Sequence, residues 1–283
     1  MIDSPANFSI KAMRALATSK GRREQHLFLV EGVRAVEDAL RARFEPEAVL
    51  YNGDLLKRTE RGAALLRLLL SQEKASRVRL VLEASERALE AASDTQHPQG
   101  IVAAFPMIEW PPPQPQRAPP LLLVCDALQD PGNLGTILRA AEAAGVHAVW
   151  LSPGCVDPYN PKVVRAAMGA HFRLPIFAEI AWEVLPAQLA SLHPTGIGLF
   201  AADAGAATPY DAVDWTQPAS LIVSNEAHGL SREARQLAEQ HGGLISIPMA
   251  GGTESLNAAM SAAIILFEAA RQRRAIAIMK RHG

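Results

Sequence analysis

Apolar positions along the chain follow two rhythms, and the rhythms alternate. In the first hundred residues a helical spacing over Ile10–Thr18 gives way to a short apolar run at Leu27–Val30. Val33, Val36 and Leu40 then stand three and four apart, which predicts a helix over Val33–Arg43. Ala48–Tyr51 reads as a strand, Leu55–Leu70 as a leucine-rich helix and Val78–Leu82 as a strand. Ala84–Ala92 reads as a helix and Ile101–Phe105 as a strand. Such alternation predicts a small α/β sandwich.

The alternation resumes at residue 121. Strands are predicted at Leu121–Cys125, Ala148–Leu151, near Leu174–Phe177, and at Ile197–Ala201, Leu221–Ser224 and Leu244–Ile247. Helices are predicted at Leu134–Ala144, stopped by Gly145, and at Lys162–Met168, ending at Gly169. Others fall near Trp182–Leu192, at Arg232–Gln240 and at Ser255–Arg273. Between the halves, Pro106, Pro111, Pro112, Pro113, Pro115, Pro119 and Pro120 crowd one stretch. Proline fixes φ and offers no N–H, so residues 106–120 read as a stiff, extended linker. Two α/β domains are expected, at 1–105 and 121–283, and no segment repeats.

Composition changes this picture little. The 283 residues are 49% hydrophobic and 20% charged, the balance of a globular chain, and only 5% aromatic, so Ala, Leu, Val and Ile must fill the core. No apolar run approaches the ~18–20 residues needed to cross a bilayer, and the N-terminus has no secretory pattern. Cys125 and Cys155 are the only cysteines and form no CxxC pair. A disulfide scaffold and a cysteine-rich metal site are excluded, and a cytoplasmic protein without membrane or metal is expected.

Charge adds a partner class. The net charge of −1 conceals Lys11, Arg14, Lys20, Arg22 and Arg23 near the start. Arg271, Arg273, Arg274, Lys280 and Arg281 stand near the end, with no acid among residues 271–283. Basic ends suit an anionic partner such as nucleic acid, although charge alone favours a pair of solvated tails.

Four segments could carry chemistry. Gly196-Ile-Gly198-Leu-Phe-Ala201 fits a loose dinucleotide pattern. That fingerprint needs a helix after its glycines, and these lead into an apolar run, so they read as the opening of a strand. The other three are strand-to-loop-to-helix junctions. Asp126 ends a strand and is followed by the turn Asp130-Pro131-Gly132-Asn133, with Asn133 placed to cap a helix that carries Arg139. Ser224-Asn225-Glu226-Ala227-His228-Gly229 follows the next such strand, with Glu226 and His228 able to do acid–base work. Ile247-Pro248-Met249 leads through Gly251-Gly252 to Ser255-Leu256-Asn257 at the head of the last helix. Each alone reads as well as turn and cap chemistry; together they could line one cleft.

These three junctions, in this order, resemble the three motifs of the SpoU/TrmH family of SPOUT methyltransferases. The pattern includes Asp130-Pro131-x-Asn133-x-Gly135-x-Ile137-x-Arg139, Asn225-Glu226-x-x-Gly229-Leu230, and Ile247-Pro248-Met249 with Ser255-Leu256-Asn257. Arg165-Ala-Ala-Met-Gly169-Ala170 also looks like the family. The first domain resembles the family's substrate-binding domain through Phe28-Leu-Val-Glu31-Gly32 and Gln99-Gly100-Ile101. The resemblance implies methyl transfer from S-adenosylmethionine to a ribose 2′-hydroxyl in RNA. It also implies a homodimer formed through the C-terminal domain, and a deep trefoil knot in that domain, which the general rarity of knots would not suggest.

Carried over residue by residue, the resemblance assigns Arg139, Asn133, Glu226, Ser255 and Asn257 to the catalytic site. It assigns Ser224, Asn225, Gly229, Ile247, Met249 and Leu256 to the cofactor. Ser224 and Ala227 stand where the family usually has glycine; a positive φ would strain a serine there, and an ordinary φ would not. Arg14, Lys20, Arg22, Arg23 and Arg34 are expected to grip RNA phosphates, as arginine-rich segments do. Ribosomal RNA is favoured as substrate. The alternatives are transfer RNA, and a non-catalytic RNA-binding relative.

Overall fold

The computed structural model describes residues 1–283 except 75–77, 96, 226–227 and 283. Two compact units divide the chain: Met1–Glu109 with Tyr159–Arg173, and Trp110–Pro158 with Leu174–Gly283.

The first unit opens with α1 (Phe8–Ala15), α2 (Ser19–Gln25), β1 (Leu27–Glu31), α3 (Val33–Arg41) and β2 (Ala48–Tyr51). It continues with α4 (Gly53–Lys57), α5 (Glu60–Lys74), β3 (Leu80–Glu83), α6 (Glu86–Ala92) and β4 (Ile101–Pro106). Its four strands run β1-β4-β2-β3; β4 is antiparallel to both neighbours, and β2 and β3 are parallel. Side chains alternate across the sheet with period two. Phe28, Val30, Val49, Ile101, Ala103 and Phe105 bury one face with Val36, Leu40, Leu65 and Leu69. Leu29, Leu50, Val102 and Ala104 bury the other with Ile10, Met13, Ala88 and Leu89. The predicted sandwich is therefore present, with differences of detail. The single helix expected at Leu55–Leu70 is broken, because the Thr59 hydroxyl accepts the Gly62 amide at 3.0 Å and starts α5 afresh. Helix α2 is an addition. It lies against α1 so closely that a Cβ on Gly21 would stand 2.1 Å from the Ala15 carbonyl oxygen.

The remaining chain forms β5 (Leu121–Asp126), α7 (Pro131–Ala144), β6 (Ala148–Leu151), α8 (Pro161–Ala167), which belongs to the first unit, and β7 (Ile176–Phe177). Then come α9 (Leu185–Ala190), β8 (Gly198–Ala202), β9 (Thr208–Pro209), β10 (Ala219–Ser224), α10 (Arg232–His241), β11 (Gly242–Ser246) and α11 (Ala258–His282). Residues 107–120 form neither helix nor strand. The second unit's sheet runs β7-β6-β5-β10-β8-β11-β9, with every pairing parallel. Leu122, Val124, Trp150, Leu199, Ala201 and Ile222 bury one face with residues of α9 and α10. α11 packs along α7 and against β10. Gly145, at φ 79°, ends α7 as its position predicted. The Gly196–Ala201 segment is a turn leading into β8, not a glycine loop feeding a helix.

Arg273 does not belong to a solvated basic tail. Its guanidinium donates to the carbonyls of Trp215 at 2.7 Å, Gln217 at 2.8 Å and Pro120 at 3.1 Å, and also to that of Pro119. Burial lowers its pKa to about 10. Arg271 pairs with Glu268 at 2.7 Å. Among the described residues no helix is long and apolar enough to cross a membrane.

Candidate active site

Parallel pairing sets the site. Ser224 stands beside Asp126 in the β5–β10 register, and Ala202 beside Ile245 in the β8–β11 register. The loops after β5, β8, β10 and β11 therefore leave the same edge of the sheet, where open α/β sheets hold ligands.

The first junction is fixed by its own side chains. Asp130, rather than Asn133, caps α7: its carboxylate accepts the Asn133 amide at 2.7 Å, and Pro131 takes the first turn. Asn133 thus lies inside the helix. Asp126 is buried, and its Oδ2 accepts the Ser231 amide at 2.7 Å, tying this strand end to the second junction. Burial raises the pKa of Asp126, against the Ser231 bond that lowers it.

The second junction leaves β10 and closes on itself, with the Gly229 amide donating to the Asn225 carbonyl at 2.9 Å. Gly229 has φ 65°, whereas Ser224 is not among the residues of positive φ, so a serine there is unstrained. Glu226 and Ala227 lie outside the described residues.

In the third junction, α11 begins three residues later than expected. Asn257 is its cap: Oδ1 accepts the amides of Ala259 at 2.9 Å and Met260 at 3.3 Å. That turns Nδ2 outward, and it donates to Asn133 Oδ1 at 2.9 Å. One hydrogen bond thus joins the first and third junctions, 124 residues apart in sequence.

A cavity of about 280 Å³ opens where β8, β10 and β11 end. Ser224, Asn225, Gly229, Ile247, Met249 and Leu256 all border it, as do Ser255, Val223, Ile245 and Ile265. Asn133, Asn257 and Arg139 do not line it. Arg139 is exposed on α7 and bonds to none of the described residues. The cavity also takes in Asp203, His228, Arg235 and Ser261. His228 was noted in the sequence; the other three were not. Asp203 directly follows β8, a strand whose carboxyl end carries no recognisable motif, and its position beside β10 was the missing clue.

In the first unit Arg14, Lys20, Arg23 and Arg34 are exposed. Arg22 corrects an expectation. It is only 2% exposed, and its guanidinium donates to the carbonyls of Leu16 at 2.9 Å and Ala17 at 3.1 Å. It holds α1 to α2 and is not open to a phosphate.

A parallel sheet that delivers three polar loops to one cavity defines an α/β protein built to hold a small ligand at the carboxyl ends of its strands. The sequence pattern of the SpoU rRNA Methylase family matches residues 120–267, and that of the MRM3-like substrate binding domain matches residues 7–103. The chain belongs to the SpoU rRNA methylase family. It is 35% identical to human "rRNA methyltransferase 3, mitochondrial", over 95% of this chain and 74% of that one. It is 30% identical to the Bacillus subtilis "23S rRNA (guanosine(2553)-2'-O)-methyltransferase RlmP", over 94% and 97%. Among solved structures, the SpoU methyltransferase AviRb of Streptomyces viridochromogenes in complex with AdoMet superposes with a TM-score of 0.81 at 31% identity. That match covers 94% of this chain and 98% of AviRb.

Proposed function

We propose that this chain transfers a methyl group from S-adenosylmethionine to a ribose 2′-hydroxyl in RNA, with ribosomal RNA as substrate. The observation that carries this reading is the convergence of the second and third junctions on one cavity, with the Asn133–Asn257 bond tying in the first. Family membership, the relatives named above and the AdoMet-bound neighbour support it.

The cavity fits the cofactor. Val223, Ile245, Ile247, Leu256 and Ile265 offer apolar walls for a planar base, and the chain at Ser224, Asn225 and Gly229 offers main-chain polar groups. At about 280 Å³ it sits near the lower end of the range for small-ligand sites. Bound there, S-adenosylmethionine would supply a methyl group activated by a sulfonium.

The protein's own part is positioning, which can contribute much of the rate in such a displacement. A guanidinium carries donors and no acceptor, so Arg139 acts as a donor: its planar fork suits a phosphate beside the target ribose, and its exposure leaves it open to RNA. Asn133 and Asn257 hold the first and third junctions in register. Ser255, at the cavity, and Glu226 are assigned to the ribose hydroxyl and its proton. Ser224, where the family usually has glycine, is not among the residues of positive φ, which supports a working cofactor loop.

RNA is held by the first domain, through Arg14, Lys20, Arg23 and Arg34; the division into residues 1–105, a 106–120 linker and 121–283 belongs to this reading. So does the C-terminal knot. A homodimer through α11 is supported by Met260 and Phe267, large apolar side chains of that helix that are 55% and 44% exposed. A monomer by light scattering at micromolar concentration would contradict it. A cytoplasmic site of action is supported by Cys125 and Cys155 both being free thiols. Imaging of the tagged chain tests it against the organelle named for the human relative.

The deciding experiment is transfer of labelled methyl to unmodified transcripts of ribosomal and transfer RNA, followed by alkaline hydrolysis. Label in an alkali-resistant dinucleotide from the ribosomal transcript is expected. Label confined to transfer RNA would overturn the substrate, and label in alkali-labile mononucleotides would overturn the ribose as target.

A further inference from the structure

The lining of the cavity at the ends of β8, β10 and β11 is uneven. Most of it is apolar side chain or main chain, but one corner is charged. Asp203 lies one residue past β8, and Arg235 lies in the first turn of α10. Arg235 Nη2 donates to Asp203 Oδ2, and Asp203 Oδ1 accepts the Gly205 amide at 2.8 Å. Arg235 Nη1 stands 4.0 Å from Glu239. Leaving His228 aside, Asp203 and Arg235 are the only ionised side chains among the described residues that line the cavity.

We propose that the Asp203–Arg235 pair is the subsite for the α-amino-acid end of the methyl donor, with Arg235 meeting its carboxylate and Asp203 its ammonium. The proposal rests on the reading of this cavity as the cofactor site. The donor joins a planar base, which apolar walls and main-chain amides can hold, to a zwitterion, which apolar walls cannot. Ionised groups are costly to bring against apolar surface without partners. A zwitterion needs one anion and one cation side by side, and this corner supplies one of each.

The pair need not break to serve. A guanidinium has five N–H donors and a carboxylate about four acceptor positions. The hydrogen bonds above engage one donor of Arg235 and two acceptor positions of Asp203. Their side chains are 43% and 20% exposed, so each retains an open side.

The test compares two ligands that share adenosine and an uncharged thioether and differ in the amino acid. S-adenosylhomocysteine has it; 5′-methylthioadenosine lacks it. In calorimetric titrations Arg235→Ala should weaken S-adenosylhomocysteine by about 10- to 100-fold, the range for a charge-assisted hydrogen bond. Binding of 5′-methylthioadenosine should stay within about twofold, which also shows that the variant is folded. Asp203→Asn should lose the same ligand selectively, by about 3- to 10-fold, and Arg235→Lys should recover part of the loss. If Arg235→Ala is too unstable to titrate, Asp203→Asn decides. Equal losses for both ligands, or no loss for either, overturn the subsite. Parent protein that binds neither ligand overturns the cofactor reading beneath it.

Discussion

Asn257 does two jobs with two atoms, and a pair of substitutions separates them. Its Oδ1 caps α11 and its Nδ2 bonds Asn133. Asn257→Ala removes both. Loss of an N-cap costs about 1 kcal/mol, and loss of an amide–amide hydrogen bond about 0.5–1.5 kcal/mol. The sum, about 2 kcal/mol, should lower Tm by roughly 4–8 °C for a unit of this size. Asn257→Asp keeps an oxygen toward the Ala259 and Met260 amides, and its charge at the helix N-terminus contributes about 0.3–1 kcal/mol. It has no N–H for Asn133 Oδ1, and sets two oxygens facing each other. Its Tm should therefore stay within about 2 °C of the parent, while methyl transfer falls at least about tenfold, on the order of 1.4 kcal/mol in the barrier. Thermal melts and single-turnover methylation measure the two arms. Parent-like turnover in Asn257→Asp would refute the claim that the bond between the first and third junctions aligns the site.

Other expectations follow from single side chains. Arg139→Ala should abolish methyl transfer and leave S-adenosylhomocysteine affinity within about twofold, because Arg139 does not line the cavity; near-normal turnover would remove its role. Replacing Arg23 and Arg34 together by Ala should weaken RNA binding and reduce the salt slope by about 1.4–1.8; an unchanged slope would sink the phosphate assignment. Arg22→Ala should instead lower stability by roughly 2–4 kcal/mol, since two carbonyls lose their buried donor; a Tm equal to the parent's would contradict this. Burial, the largest cause, holds His147 below its ordinary pKa, with its Leu121 bond opposing. The unfolded chain then takes up a proton near pH ~6.5 that the folded chain refuses, so stability falls as pH drops from there toward the folded pKa. His147→Gln should flatten that part of the Tm profile, and a profile of the parent's shape would exclude the histidine as its source.

The alternation of elements was legible because burial of both sheet faces imposes it, strand by strand. The ends of elements were less so. Asp130 and Asn133 are both good caps; Pro131, preset for the first helical turn, decides for Asp130. Asn257 could not be told from Ser255 as the last cap without its partner Asn133. The six positions around the cavity were found through motifs, whereas Asp203 and Arg235 belong to none and meet only because β8 lies beside β10. Arg22 was misjudged because composition counts a charge without asking where its donors go. Those donors go to the Leu16 and Ala17 carbonyls at the end of α1.

The placement of β10 between β5 and β8 has a consequence on the ribosome. β5 pairs on one side with β6, made soon afterwards, but its other neighbour is encoded about 90 residues later. At 5–20 residues per second, the apolar edge of β5 stays open for roughly 5–18 s of synthesis. During that time it can pair with a neighbouring nascent chain. Slowed translation between residues 127 and 218 should therefore lower the yield of active protein without changing its final stability.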